Sequence, residues 1–224
     1  MKHVAILQFP GTNCDLDTQY AFEKLSCTTD IIWHKETALP KNTDLVIVPG
    51  GFSYGDYLRS GAIAQFSPIM KAVIEYANKG GKVLGICNGF QVLTEVGLLP
   101  GALKRNIGLH FISKFQTLKV VNNTNDFLAK CSNNEVLNIP IAHADGNYYI
   151  DENGFKELEE NEQILLRYSD EKGEPIVING SVTSIAGVCN KTKNVFGLMP
   201  HPERALENIL GSNDGVKMLE GLIA

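Results

Sequence analysis

Cys87 stands in Gly85-Ile86-Cys87-Asn88-Gly89-Phe90-Gln91, where Lys82-Val83-Leu84 gives way to a helical pattern. Small residues on both sides of a nucleophile let the backbone turn sharply from strand to helix, as in the elbow that presents serine in many hydrolases. Here the nucleophile would be sulfur. A helix starting near Asn88 would aim unpaired N–H groups and a positive dipole end at the thiol, favouring thiolate, and the Asn88 N–H could meet an oxyanion. Taken alone, the same string also fits an inert buried cysteine at a tight junction.

A base lies far away in sequence, in Val195-Phe196-Gly197-Leu198-Met199-Pro200-His201-Pro202-Glu203-Arg204. Pro202 biases His201 toward extended angles, and side chains two apart in an extended segment point the same way, so Glu203 can orient the imidazole. Nucleophile, base and orienting carboxylate are the set that thiol acyl transfer needs. The bland reading, a proline-rich turn with an exposed histidine, weakens once the elbow is present. A third string, Asp44 to Val48 followed by Pro49-Gly50-Gly51-Phe52-Ser53-Tyr54-Gly55, is a strand running into a glycine-rich loop. One of its backbone donors together with Asn88 would complete an oxyanion hole. It lacks the phosphate-loop pattern, and no dinucleotide fingerprint follows the first strand. Gln91, four residues after Cys87, would project from the nucleophile's face of the helix and suits a small polar substrate, although an ordinary surface glutamine fits the spacing too.

These elements need a scaffold. Strand-like runs at Val4–Phe9, Thr29–His34, Leu45–Pro49 and Val83–Ile86 alternate with helical patterns at Leu16–Leu25, Ser67–Asn78 and Phe90–Val96. The alternation implies an α/β fold, a mostly parallel central sheet covered by helices on both faces. After Leu103, short strands at Thr117–Val121, Ile164–Tyr168 and Val182–Val188, with turns at Asn122–Asn125 and Glu171-Lys172-Gly173, imply a smaller antiparallel β extension. The chain returns to the sheet at Val195–Met199 and is expected to end in helices near Arg204–Leu210 and Gly215–Ile223. No linker or repeat divides residues 1–224, which read as one domain.

Composition narrows the function. With 20 Lys and Arg against 25 Asp and Glu, the formal charge is −5, with no basic stripe for nucleic acid. The first strand is too short for a secretory signal and no stretch reaches the length of a membrane span, so a cytoplasmic location is expected. Cys14, Cys27, Cys87, Cys131 and Cys189 form an odd set without paired metal-ligand spacing. Reduced thiols and no metal site are expected. Cys14 follows a strand end and reads as a packing or helix-start residue rather than a second reactive thiol.

Gly-Ile-Cys-Asn-Gly-Phe-Gln together with Pro-His-Pro-Glu resembles the class I glutamine amidotransferases, a flavodoxin-like family that releases ammonia from L-glutamine. Phe9 to Asp15, Trp33 to Thr37, Pro49 to Arg59, Gly97 to Leu103, Leu198 to Arg204 and Gly211 to Gly215 extend the likeness over nearly the whole chain, toward the glutaminase subunits of phosphoribosylformylglycinamidine synthases. The resemblance implies a triad of Cys87, His201 and Glu203, oxyanion donors from Gly51 or Phe52 and from Asn88, and a glutamine contact from Gln91. It also places Ile141 to Tyr148 near glutamine and synthetase contacts, making His143, Gly146 and Asn147 candidate substrate-binding residues. His143 reads equally as a hydrogen-bonded structural histidine. Ala144-Asp145 departs from the Gly-Glu usual in that family, and Thr12 stands in place of serine.

The expected reaction is attack of Cys87 on the glutamine carboxamide, protonation of departing ammonia by His201, and hydrolysis of a glutamyl thioester. Because ammonia is mostly protonated near neutral pH, a protected path to a synthetase is expected. The resemblance implies a synthetase subunit that makes formylglycinamidine ribonucleotide for purine synthesis, a small third subunit, and ATP and magnesium on the partner rather than on this chain. Two rivals compete on residues alone: a cysteine hydrolase of the peptidase-like and stress-protein kind, and a catalytically silent regulatory subunit.

Overall fold

A computed structural model describes residues 1–224. In chain order the elements are β1 (His3–Gln8), α1 (Asp15–Lys24), β2 (Thr28–Trp33), β3 (Leu45–Val48), α2 (Pro68–Asn78), β4 (Lys82–Ile86), α3 (Asn88–Glu95), β5 (Ala102–Lys104), β6 (Ile112–Val120), β7 (Val136–His143), β8 (Asn147–Tyr149), α4 (Glu152–Glu160), β9 (Ile164–Tyr168), β10 (Ile185–Cys189), β11 (Val195–Leu198) and α5 (Gly215–Ile223).

One nine-stranded sheet runs β2-β1-β3-β4-β11-β10-β9-β6-β7. Its first five strands pair in parallel, and those from β11 to β7 pair antiparallel. The antiparallel part is therefore a continuation of the main sheet, with only β5 and β8 forming a separate two-stranded ribbon. Strands β3 and β11 are buried at every residue, matching their unbroken apolar sequences and the burial of parallel strands on both faces. Strand β11 lies beside β4 with Leu198 opposite Ile86, so the segments leading to His201 and Cys87 emerge at the same edge of the sheet.

The helix after Cys87 crosses the sheet at close range, and its glycines make this possible. A Cβ at Gly89 would lie 1.7 Å from the Val48 carbonyl oxygen, and one at Gly85 would lie 2.7 Å from Gly89 backbone. Gly89→Ala is expected to cost on the order of 3 kcal/mol through forced separation of α3 from β3, read as a lowered denaturant midpoint.

Two expected elements differ. In place of a helix over Arg204–Leu210 the chain makes short 3₁₀ turns at Pro202–Arg204 and Asn208–Leu210. The intervening Ala205 and Leu206 are buried, and Ala205 has the non-helical angles φ −126° and ψ 57°, which ends the first turn. Over Val182–Val188 only the second half is strand. Thr183 and Ser184 take left-handed φ of 45° and 63° in a turn before β10.

Strand β7 and helix α4 were not anticipated. The burial of β7 alternates cleanly, but Pro140 interrupts its sequence pattern. The proline is tolerated because β7 is an edge strand. Helix α4 is almost wholly polar, buries Leu158, and is capped by the Asp151 carboxylate accepting from the Gly154 N–H at 2.7 Å.

Candidate active site

Cys87 sits at the strand-to-helix corner with φ 51° and ψ −106°, a strained conformation for a residue with a side chain. Such strain persists only where the surroundings impose it. Here the Cys87 N–H donates to Leu198 O at 2.8 Å and the helix follows at once. Asn88 opens α3, so its N–H is one of those with no intrahelical acceptor. The first turn of α3 carries no acidic residue to offset the helix dipole.

His201 and Glu203 are both 2 % exposed, and Nδ1 of the imidazole meets Oε1 of the carboxylate at 2.7 Å. Their approach has a different local cause from the one expected: Glu203 lies in a 3₁₀ turn that folds it back, rather than in an extended segment. The His201 N–H donates to Pro140 O at 2.8 Å, tying the loop to β7. Burial on its own lowers a histidine's pKa, but the charges of Glu203 and Cys87 and the neighbouring Cys14 thiol overcome it and hold His201 well above its ordinary value. His201 Nε2 makes no hydrogen bond within the protein.

Cys87 and His201 share a cavity of about 130 Å³ with Asn13, Cys14, Gly51, Phe52, Phe111, Ala142 and Arg204. A Cβ added at Gly50 would stand 2.8 Å from His201 Cε1 and 3.5 Å from Cys87 Cβ, so the absent side chain leaves thiol and imidazole facing each other. The Cys87 thiol donates to Ala142 O at 3.6 Å. A wider groove of about 670 Å³ lies beyond Arg204, but it contains no thiol, and chemistry selects the smaller cavity.

The structure distinguishes the two oxyanion donors that the loop offers. Phe52 lines the cavity, but its N–H donates to Gly11 O at 3.0 Å and is not free for an oxyanion. Gly51, at φ 139°, has no protein acceptor for its N–H and lines the same cavity. The Asn88 side chain braces this loop from the helix side, its Oδ1 accepting from Ser53 N–H at 3.1 Å.

Gln91 is buried. Its Nε2 donates to Asp145 O at 2.8 Å and its Oε1 accepts from Asn88 Nδ2 at 2.9 Å, linking α3 to the 144–146 turn. Each of its polar atoms retains one further hydrogen-bonding site. Close by, Asp56 is pushed up to about 6 by burial and by the charge of Asp145.

The remaining substrate candidates lie elsewhere. His143 is buried with Nδ1 3.2 Å from Asn106 Oδ1 and Nε2 3.5 Å from the Tyr168 hydroxyl, which engages both ring nitrogens. Asn106 also donates to two carbonyls and accepts from Gly146 N–H, which fixes its amide and assigns the His143 proton to Nδ1. Burial, with the nearby charge of His201, lowers His143 to about 4, so it is neutral near pH 7. Gly146 is held by Asn106, Asn179 and Ser181, while Asn147, in β8, donates from Nδ2 to Arg105 O just beyond the end of β5. These three residues shape the turn under Gln91 and do not line the thiol cavity. The organising residue, Asn106, was missed because a lone asparagine in a loop gives no sequence signal.

The doubly covered sheet, the cysteine elbow and the histidine–glutamate pair define a class I glutamine amidotransferase. Residues 1–217 match the family of CobB/CobQ-like glutamine amidotransferase domains. The chain is 68 % identical over 220 residues to the phosphoribosylformylglycinamidine synthase subunit PurQ of Sulfurimonas denitrificans, covering 98 % of each chain. It is 65 % identical over 219 residues to the corresponding subunit of Wolinella succinogenes, again covering 98 % of each. A chain in the solved structure of PurLQS from Thermotoga maritima superposes with a TM-score of 0.88 at 40 % identity, covering 99 % of this chain and 97 % of that one. The chain belongs to the glutamine amidotransferase family, in the branch of the PurQ subunits.

Proposed function

We propose that the chain acts as one glutamine amidotransferase domain that hydrolyses L-glutamine and passes the ammonia to an ATP-dependent synthetase subunit, which makes formylglycinamidine ribonucleotide in purine biosynthesis. The observation that carries this reading is the buried His201–Glu203 pair facing Cys87 across a cavity that a residue larger than glycine at position 50 would close.

In this reading Cys87 attacks the side-chain carboxamide and forms a C–S bond. The Gly51 and Asn88 N–H groups receive the oxyanion, and Gln91 orients the substrate. His201, held as imidazolium by Glu203, gives its proton to the departing ammonia. Water, deprotonated by His201, then breaks the thioester and releases glutamate. ATP and magnesium belong to the synthetase, and a small third subunit completes the assembly, in keeping with the PurLQS relative. No helix is long and apolar enough to cross a membrane, and we place the complex in the cytoplasm.

An electrophilic glutamine analogue incubated with the assembled complex is expected to label one thiol per chain, mapping to Cys87 by peptide mass. Absence of labelling would favour a silent regulatory subunit, and labelling by peptide aldehydes with indifference to glutamine would favour a peptidase-like hydrolase.

A further inference from the structure

The cavity holds a second thiol that the glutamine chemistry does not use. Cys14, at the start of α1, is buried, and its sulfur, a nitrogen of His201 and an oxygen of Glu203 all lie within 4.8 Å of one another. These donors come from two separate segments, so no metal-binding spacing is visible along the chain. Two buried atoms of the cluster, His201 Nε2 and Glu203 Oε2, have no protein hydrogen-bond partner, which is rare for groups this deeply enclosed. Arg204 donates to Cys14 Sγ at 3.2 Å, while Asp17 accepts the guanidinium at 2.8 Å; burial raises the Cys14 pKa, so it is the ion that would draw off the thiol proton.

We propose that Cys14, His201 and Glu203 form a binding site for a thiophilic divalent cation of the zinc type. Thiolate, imidazole and carboxylate are the donors zinc prefers, at bond lengths of about 2.0–2.3 Å that place neighbouring donors roughly 3.5 Å apart around a tetrahedral ion. Reaching that spacing takes side-chain movements of about 1 Å, with Cys14 closing in and the 2.7 Å hydrogen bond between His201 and Glu203 opening to admit the ion. Cys14 binds as thiolate and His201 as neutral imidazole, each releasing its proton to solvent, and the fourth position faces the cavity, where a water completes the shell. The ion draws on His201 and Glu203 together, so an occupied site cannot supply the base for glutamine hydrolysis. Metal binding itself is independent of the glutaminase reading. The inhibition that follows from it rests on that reading.

Cobalt(II) is the probe, because its bonds to thiolate absorb light where zinc is silent. Added to the full metal-free chain without glutamine, it is expected to give a thiolate-to-cobalt absorption band that zinc displaces. Cys14→Ser and Cys14→Ala are each expected to remove the band and weaken binding at least about tenfold, the lower bound for losing even an outer partner of a metal site. Cys87→Ser is expected to keep it. In the assembled complex zinc is expected to stop glutamate release, and a chelator to restore it. The proposal is overturned if the unaltered chain gives no band, or if Cys87→Ser abolishes the band while the Cys14 variants retain it, since the metal would then be held by the elbow cysteine. Binding intact with glutamate release unaffected would leave the site standing and count against the glutaminase role of His201.

Discussion

Cys87→Ala is expected to lower glutamine-dependent turnover of the complex by at least about 10⁴-fold, corresponding to roughly 5.5 kcal/mol of lost transition-state stabilisation. The size follows from the chemistry, because without sulfur there is no thioester and water must attack an amide directly. Cys14 shares the cavity, which raises the question of whether it can substitute. Its environment argues that it cannot. Burial is the main influence on Cys14 and raises its pKa, and the helix it precedes carries Asp15 and Asp17 in its first turn, opposing the dipole that would stabilise thiolate. Cys87 precedes a helix whose first turn bears no acid and occupies the strained corner that presents its sulfur. Free ammonium salts supplied at high concentration should restore synthesis in the Cys87→Ala complex, separating loss of hydrolysis from loss of assembly. Residual glutaminase activity above about one per cent of wild type, well outside the range for a missing nucleophile, would count against Cys87 in that role.

The parts of this molecule that could be read from sequence are those whose causes are local. Unbroken apolar runs such as Leu45–Val48 and Val195–Leu198 mark parallel strands because burial on both faces leaves no place for polar residues. The elbow was legible because its glycines flank the cysteine within one short string, although the contact that requires Gly89, the Val48 carbonyl, comes from a distant strand. Other features depend on groups distant in the chain. Whether the Phe52 N–H is free is decided by Gly11 O, about forty residues away, and the role of His143 is decided by Asn106 and Tyr168. The helix expected after Arg204 has the composition for one, but burial of Ala205 and Leu206 pulls the backbone out of helical angles. The convergence of Cys14 on His201 is of the same kind, created only when β1 and β11 deliver their loops to one edge of the sheet.

Glu203→Gln keeps the size of the side chain and removes its charge, and is expected to lower the rate by about 10³–10⁴-fold, similar to the loss of the orienting carboxylate in other triads. The reason lies in the balance of effects on His201. Burial pushes its pKa down, and the charge of Glu203 is the strongest influence pushing it up. With the charge gone, burial and the remaining neighbours no longer sustain imidazolium, and the proton for departing ammonia is lost at a lower pH. The alkaline limb of the pH–rate profile should therefore move toward acid in the variant. Stability carries the same sign. A histidine whose folded pKa is raised contributes stability that is fully present below its unfolded pKa and fades as pH rises through the folded value. The stability gap between wild type and Glu203→Gln should accordingly be wide at mildly acid pH and narrow as the solution is made alkaline, read from denaturant midpoints at each pH. A variant with an unmoved alkaline limb would mean that Glu203 positions the ring without setting its charge. A gap that widens toward alkaline pH would reverse the assigned sign.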